Sequence, residues 1–196
     1  MKIAEVRKAV EQIASSSLAD RGFLSKSGFG EYTLDTSTGE KLGILLDVLR
    51  YDNSYNINFH IYVSYPVVQE LFGHLNPKFP YSITLIAGSY SFDSSVVGTE
   101  PFENEVQNGL QNSINKIKTI DTFSKLYSNL AKPDYKDWVT GDKVVQFRIK
   151  LAKVVSEKDV SGFKALQAEI HEVCKKQYSQ QYREQLMETL NSVVIT

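Results

Sequence analysis

The chain has 196 residues, 42% of them hydrophobic and 23% charged, with a formal net charge of −1 at pH 7. That is the composition of a folded globular chain with room for a sizeable core, and its charge balance excludes a general attraction to nucleic acid or to acidic membranes. The single cysteine, Cys174, excludes an intramolecular disulfide framework, and no Asn-x-Ser/Thr sequon occurs.

In chain order, Ile3, Val6, Val10 and Ile13 fall at steps of three and four, which predicts an amphipathic helix ending before Gly22. Glu5, Arg7, Lys8, Glu11 and Gln12 interrupt it, so the segment does not read as a signal peptide. No apolar run elsewhere approaches the length of a membrane span. A cytoplasmic location without a membrane partner is the expectation.

Strand patterns follow. GFGEYTLD (28–35) alternates loosely, and TSTGEK turns the chain. KLGILLDVLR (41–50) places Leu42, Ile44, Leu46 and Val48 on one face and Leu45 and Leu49 on the other, a strand with apolar contact on both sides. YDNSY leads into YNINFHIYVSY (55–65), in which Tyr55, Ile57, Phe59, Ile61, Val63 and Tyr65 alternate with Asn56, Asn58, His60, Tyr62 and Ser64. Pro66 suits the first turn of a short helix over PVVQELF, with Pro77 and Pro80 ending it. YSITLIAGSYSFD (81–93) returns to strand, and SSVVG is a candidate continuation.

From Thr99 the period changes. Thr99 is a candidate cap with Pro101 in the first turn, and Val106, Leu110, Ile114 and Ile117 share a stripe. Phe123, Leu126, Tyr127 and Leu130 precede a stop at Pro133, and Val144, Phe147 and Leu151 mark the next helix. The longest helical stretch carries Phe163, Leu166, Ile170 and Val173, then Tyr178, Tyr182, Leu186 and Leu190. Strands first and helices after predict an α+β fold: an N-terminal helix, an antiparallel meander of about four or five strands, and C-terminal helices packed on the sheet. The expected organisation is one domain over 1–196, with 1–98 helix plus sheet and 99–196 mainly helical.

No catalytic motif is present. SGFGEY has two glycines at G-x-G spacing but lacks the third and precedes a strand, so it fails as a phosphate loop. His60, His74 and His171 are widely spread, and the three-residue spacing of His171 and Cys174 offers too few ligands for zinc. Glu103 and Glu105 suit a helix start, Asp134 suits a cap, and Asp137 resembles it. Lys143, Arg148, Lys150, Lys153 and Lys158 near Phe147 and Trp138 are interspersed with Asp137, Asp142, Glu157 and Asp159, which reads as solvated helix faces. Neither catalytic residues, cofactor, metal nor nucleic acid is expected.

What remains is a surface. Residues 29–110 carry three Lys/Arg against ten Asp/Glu, a balance of −7, while residues 111–196 carry fourteen against ten, or +4. The candidate binding residues are the polar face of the fourth segment, Asn56, Asn58, His60 and Tyr62, with the acidic Asp47 and Asp52 beside it. These predict a non-catalytic protein-binding domain, its acidic half suited to a basic partner. The alternative is a small-molecule or enzyme pocket between sheet and helices built on Asn58, His60 and Tyr62. A homo-oligomer through Tyr178, Tyr182 and Met187 ranks third.

Gly22-Phe23, the stretch SKSGFGEYTL and the strand YNINFHIYV together resemble a family of uncharacterised bacterial domains that open with a helix and a Gly-Phe pair and continue into an aromatic strand meander. The resemblance covers roughly residues 3–65 and departs from the pattern at Tyr32, where phenylalanine is commoner, and in lacking an arginine on the strand that follows. Some members are similar to immunity proteins, small proteins that bind and neutralise a cognate bacterial toxin. The resemblance therefore implies a toxin-like protein partner and carries no catalytic residues.

Overall fold

In the computed structural model of the chain, the first helix α1 (Ile3–Ala19) buries Val6, Val10, Ala14 and Leu18. This stripe of four-residue steps leaves Ile3 and Ile13 half-exposed, so the buried face is rotated from the one that sequence spacing suggests. The structure describes all residues except 27, 53, 76–81, 130–142, 175–179 and 194–196, together with the side chains of 143–144, 171–174 and 181–182. The stops at Pro77, Pro80 and Pro133, the carboxylates Asp134, Asp137 and Asp142, Trp138, the His171–Cys174 side chains, and Tyr178 and Tyr182 lie outside the described residues.

After α1 come β1 (Leu24–Ser25), β2 (Glu31–Asp35), β3 (Lys41–Tyr51), β4 (Ser54–Ser64), α2 (Pro66–Phe72), β5 (Ile83–Asp93), α3 (Glu100–Lys118) and α4 (Phe123–Asn129). Among the described residues three further helices follow, α5 (Lys143–Ser156), α6 (Val160–Cys174) and α7 (Gln180–Ser192). The sheet order is β1-β2-β3-β4-β5, so the fold is α+β with an antiparallel five-stranded meander. SSVVG adds no strand: Ser94–Val96 is a 3-10 turn, held where the Ser95 amide donates to Asp93 Oδ1 at 2.8 Å. Thr99 does not cap α3 through its side chain, because its hydroxyl donates instead to the Val96 carbonyl at 2.7 Å.

The chain divides into two compact units, Met1–Val63 with Thr84–Lys125, and Ser64–Ile83 with Leu126–Thr196. In the first, Tyr32 pairs opposite Ile44 and Leu34 opposite Leu42. Alternation then places Leu42, Ile44, Leu46 and Val48 of β3 and Tyr55, Ile57, Phe59, Ile61 and Val63 of β4 in the core. α1 closes this inner face from one side, with the Tyr32 hydroxyl 3.1 Å from Ser15 Oγ and burial pushing the Tyr32 pKa up. α3 closes it from the other. A Cβ at Gly109 would fall 2.3 Å from the Phe59 ring, so the absent side chain lets helix and strand approach.

β5 changes phase within its length. Ile83, Leu85 and Ala87 are buried, then Phe92, a one-residue slip around Gly88 of the kind a β-bulge makes. The Lys116 ammonium of α3 donates to the Ala87 carbonyl there at 2.8 Å, and burial pulls its pKa down. Beyond the slip, Phe92 stacks on Tyr55 and Tyr90 and meets Phe102 edge-on at 5.1 Å.

The second unit is helical. α2 packs on α5, α5 on α6, and α6 on α7. The Arg148 guanidinium lies 5.5 Å from the Phe72 ring centroid, Lys150 pairs with Glu169 at 3.0 Å, and His74 Nε2 meets Thr189 Oγ1 at 3.0 Å.

The β2–β3 turn carries a titratable clasp. Burial alone would raise the Glu40 pKa, but hydrogen bonds from the Thr38 and Thr36 hydroxyls and from its own backbone together hold it below the usual carboxylate value. A depressed folded-state pKa stabilises above the unfolded value, and that stability is lost as pH falls through the folded one. Glu40→Gln should therefore destabilise the chain by about 1–2 kcal/mol at pH 7. Below about pH 4, near the ordinary carboxylate pKa, the difference should shrink toward zero. Urea denaturation of both proteins across that range measures it.

Candidate functional site

The even residues of β4 and the odd residues of β3 face away from α1 and α3. This outer face holds Leu45, Asp47, Leu49 and Tyr51 on β3, Asn56, Asn58, His60 and Tyr62 on β4, and Thr84 and Ile86 on β5. The connection between Tyr51 and Ser54 is two residues long and begins with Asp52 at a positive φ of 43°, as a tight hairpin requires. Antiparallel pairing across such a hairpin sets Leu49 opposite Asn56, Asp47 opposite Asn58, Leu45 opposite His60 and Gly43 opposite Tyr62.

Of the sequence candidates, Asp47, Asn58 and His60 come together as a half-exposed polar cluster on this face. Among the described residues the side chain of none of the three has a hydrogen-bond or ion-pair partner. Asn56 is also half-exposed, but its amide nitrogen donates to Ser91 Oγ at 3.0 Å and its Oδ1 is buried without a partner among the described residues.

Tyr62 is a correction. Only 2% of it is exposed, because its ring lies flat over Gly43 and its hydroxyl donates to Glu31 Oε1 at 3.0 Å. Thr33, which pairs opposite Gly43, is buried as well. Tyr62 is thus a structural cross-strand brace on the outer face and is not available to a ligand beside His60.

Asp52 stands apart from the cluster, at the hairpin tip. It lines a polar cleft of about 260 Å³ with Met1, Arg50, Tyr55, Asp93 and Ser94. The Ser95 amide holds the Asp93 carboxyl below its usual pKa, and the Arg50 Nε donates to the Asp52 carbonyl at 3.4 Å. A second, open cleft of about 520 Å³ runs along Ser16, Ser17, Asp20, Arg21, Gln107, Asn108 and Gln111 between α1 and α3. Neither cleft holds Asn58, His60 or Tyr62, the residues of the expected pocket.

The feature that sequence reading missed is apolar. Leu45 and Leu49 are each 37% exposed, Tyr51 56% and Ile86 65%, although the two-sided pattern of β3 reads as a strand covered on both faces. The signal was present in the neighbours: β4 offers asparagine and histidine on the face where β3 offers leucine, so no apolar partner layer was available for that face.

Among the described residues no three His, Cys, Asp or Glu side chains are grouped to hold a metal ion, and no helix is long and apolar enough to cross a membrane. No protein-family model, curated protein or solved structure matches the chain.

Proposed function

We propose that the chain is a non-enzymatic protein-binding domain of immunity type, which neutralises a basic partner by covering it with the outer face of the sheet. One observation carries this reading: Leu45, Leu49, Tyr51 and Ile86 stand exposed around Asp47, Asn58 and His60 on paired strands. An apolar centre with polar groups among it, on paired strands, is the make-up of a protein docking surface. The charge agrees with a basic partner. The unit that carries this face has ten Lys/Arg against thirteen Asp/Glu, a balance of −3.

The partner is first captured from the source lysate at two salt concentrations and then produced pure. Asp52→Lys and Asp93→Lys, made together at the rim, should slow association about tenfold at low salt and flatten its salt dependence. Both changes cost some stability, since Asp93 accepts from the Ser95 amide and Asp52 sits at a positive φ. The rates are therefore compared where circular dichroism shows both proteins folded. Stopped-flow association at 20 mM and 300 mM salt decides it, and identical rates for parent and variant at both would remove the steering argument.

A further inference from the structure

We infer that the docking face takes its partner through a single cation, an arginine flanked by apolar side chains, seated on Asp47 between Leu45 and Leu49. This rests on the docking face proposed above and names the chemistry of what occupies it. On one face of a strand, side chains two apart are spaced by about 7 Å, so Leu45, Asp47 and Leu49 form one row. Asn58 stands across from Asp47, and His60 across from Leu45.

The acids of this unit differ in what they are doing. Asp35 pairs with Lys41 at 3.5 Å, Glu31 accepts from Tyr62 at 3.0 Å, and Asp93 accepts from the Ser95 amide at 2.8 Å. Asp47 alone lies within the apolar row, and among the described residues its side chain has no partner.

That placement constrains any occupant. A surface that covers Leu45 and Leu49 must also cover Asp47, and a carboxylate stripped of water without a counter-charge is costly. An uncharged apolar partner is therefore rejected, and one that brings a cation is selected. A planar guanidinium can bind the carboxylate bidentately while its flat faces lie against leucine, which favours arginine over lysine. A second copy of this chain fits poorly. Its own face would bring Glu31, Asp35 and Asp47 against the same acids, with His60 and the already paired Lys41 as the basic side chains described among them.

The test is a titration of the ¹⁵N-labelled full chain, followed by NMR, with two probes: N-acetyl-Leu-Arg-Leu-amide and its Leu-Gln-Leu counterpart. The expected result is that amides of 45–49 and 56–60 shift with the arginine peptide. Its binding should be about fivefold tighter than the glutamine peptide's, and Asp47→Asn should abolish that difference while leaving inner-face amides in place. Equal binding of both peptides at these residues overturns the arginine anchor and leaves the docking face standing. Shifts from neither peptide on this face also overturn the anchor, and the docking reading is then judged on the partner kinetics alone. Concentration-dependent shifts of the same amides without peptide, removed by Leu49→Asp, would make a second copy the occupant and overturn the inference.

Discussion

Replacing Gly43 by valine should lower the stability of the chain by about 3 kcal/mol. A Cβ at this position would lie 1.8 Å from Tyr62 Cζ and within 2.3 Å of both adjoining ring carbons, closer than any packed side chain tolerates. The ring must leave its place. It then loses its burial and its 3.0 Å bond to Glu31. The control lies in the partner residue. In a Tyr62→Ala background the same substitution should be nearly neutral, because valine is a better strand residue than glycine once the ring has gone. The coupling between the two sites should therefore reach about 3 kcal/mol. A urea-denaturation cycle over the four proteins measures it, and equal costs in both backgrounds would show that the ring and Gly43 do not share this space.

The same pair of residues shows where sequence reading stopped. Alternation assigned Tyr62 to the outer face correctly, since period-two patterning fixes which side a residue leaves the sheet. It says nothing about what lies over that side. Counting outward from the two-residue turn after Tyr51 brings Tyr62 opposite Gly43, and a glycine within a strand is a place where a neighbouring ring can lie flat. The information was in the chain, but it needed register as well as period.

The main elements were legible for related reasons. β3, β4 and α3 are long and strongly periodic, and Val106, Leu110, Ile114 and Ile117 are buried as their spacing predicts. β1, of two residues, carries no period to read. The slip near Gly88 in β5 arises from tertiary contacts, chiefly Phe92 joining Tyr55 and Phe102, which a local pattern does not contain. At the candidate site, residue types pointed to Asn58, His60 and Asp47, and the exposed leucines beside them became visible only once the face was seen to be uncovered. That order matters for function: the polar residues alone suggest a ligand pocket, whereas the polar residues set among Leu45, Leu49 and Ile86 suggest a docking surface.

Stability and docking should separate cleanly, and Phe102 shows the first side of the division. Phe102→Ala should cost about 3–5 kcal/mol. The side chain is fully buried in the first turn of α3, edge-on to Phe92 at 5.1 Å and 6.4 Å from Tyr90. Each aromatic pair adds about 0.5–1.5 kcal/mol beyond the buried area. Because Thr99 makes no side-chain cap to this helix, Phe102 is what ties its start to the sheet. Hydrogen exchange should therefore quicken more in the first turn of α3 than near Ile114 and Ile117, whose burial lies farther along the helix. Phe102→Leu, which keeps most of the volume, should cost about 1–2 kcal/mol, less than half as much. Asp47→Asn on the opposite face should change stability by no more than about 0.5 kcal/mol. If exchange instead rose uniformly along α3, the aromatic cluster would be one contact among equals and not the tie that holds the helix start on the strands.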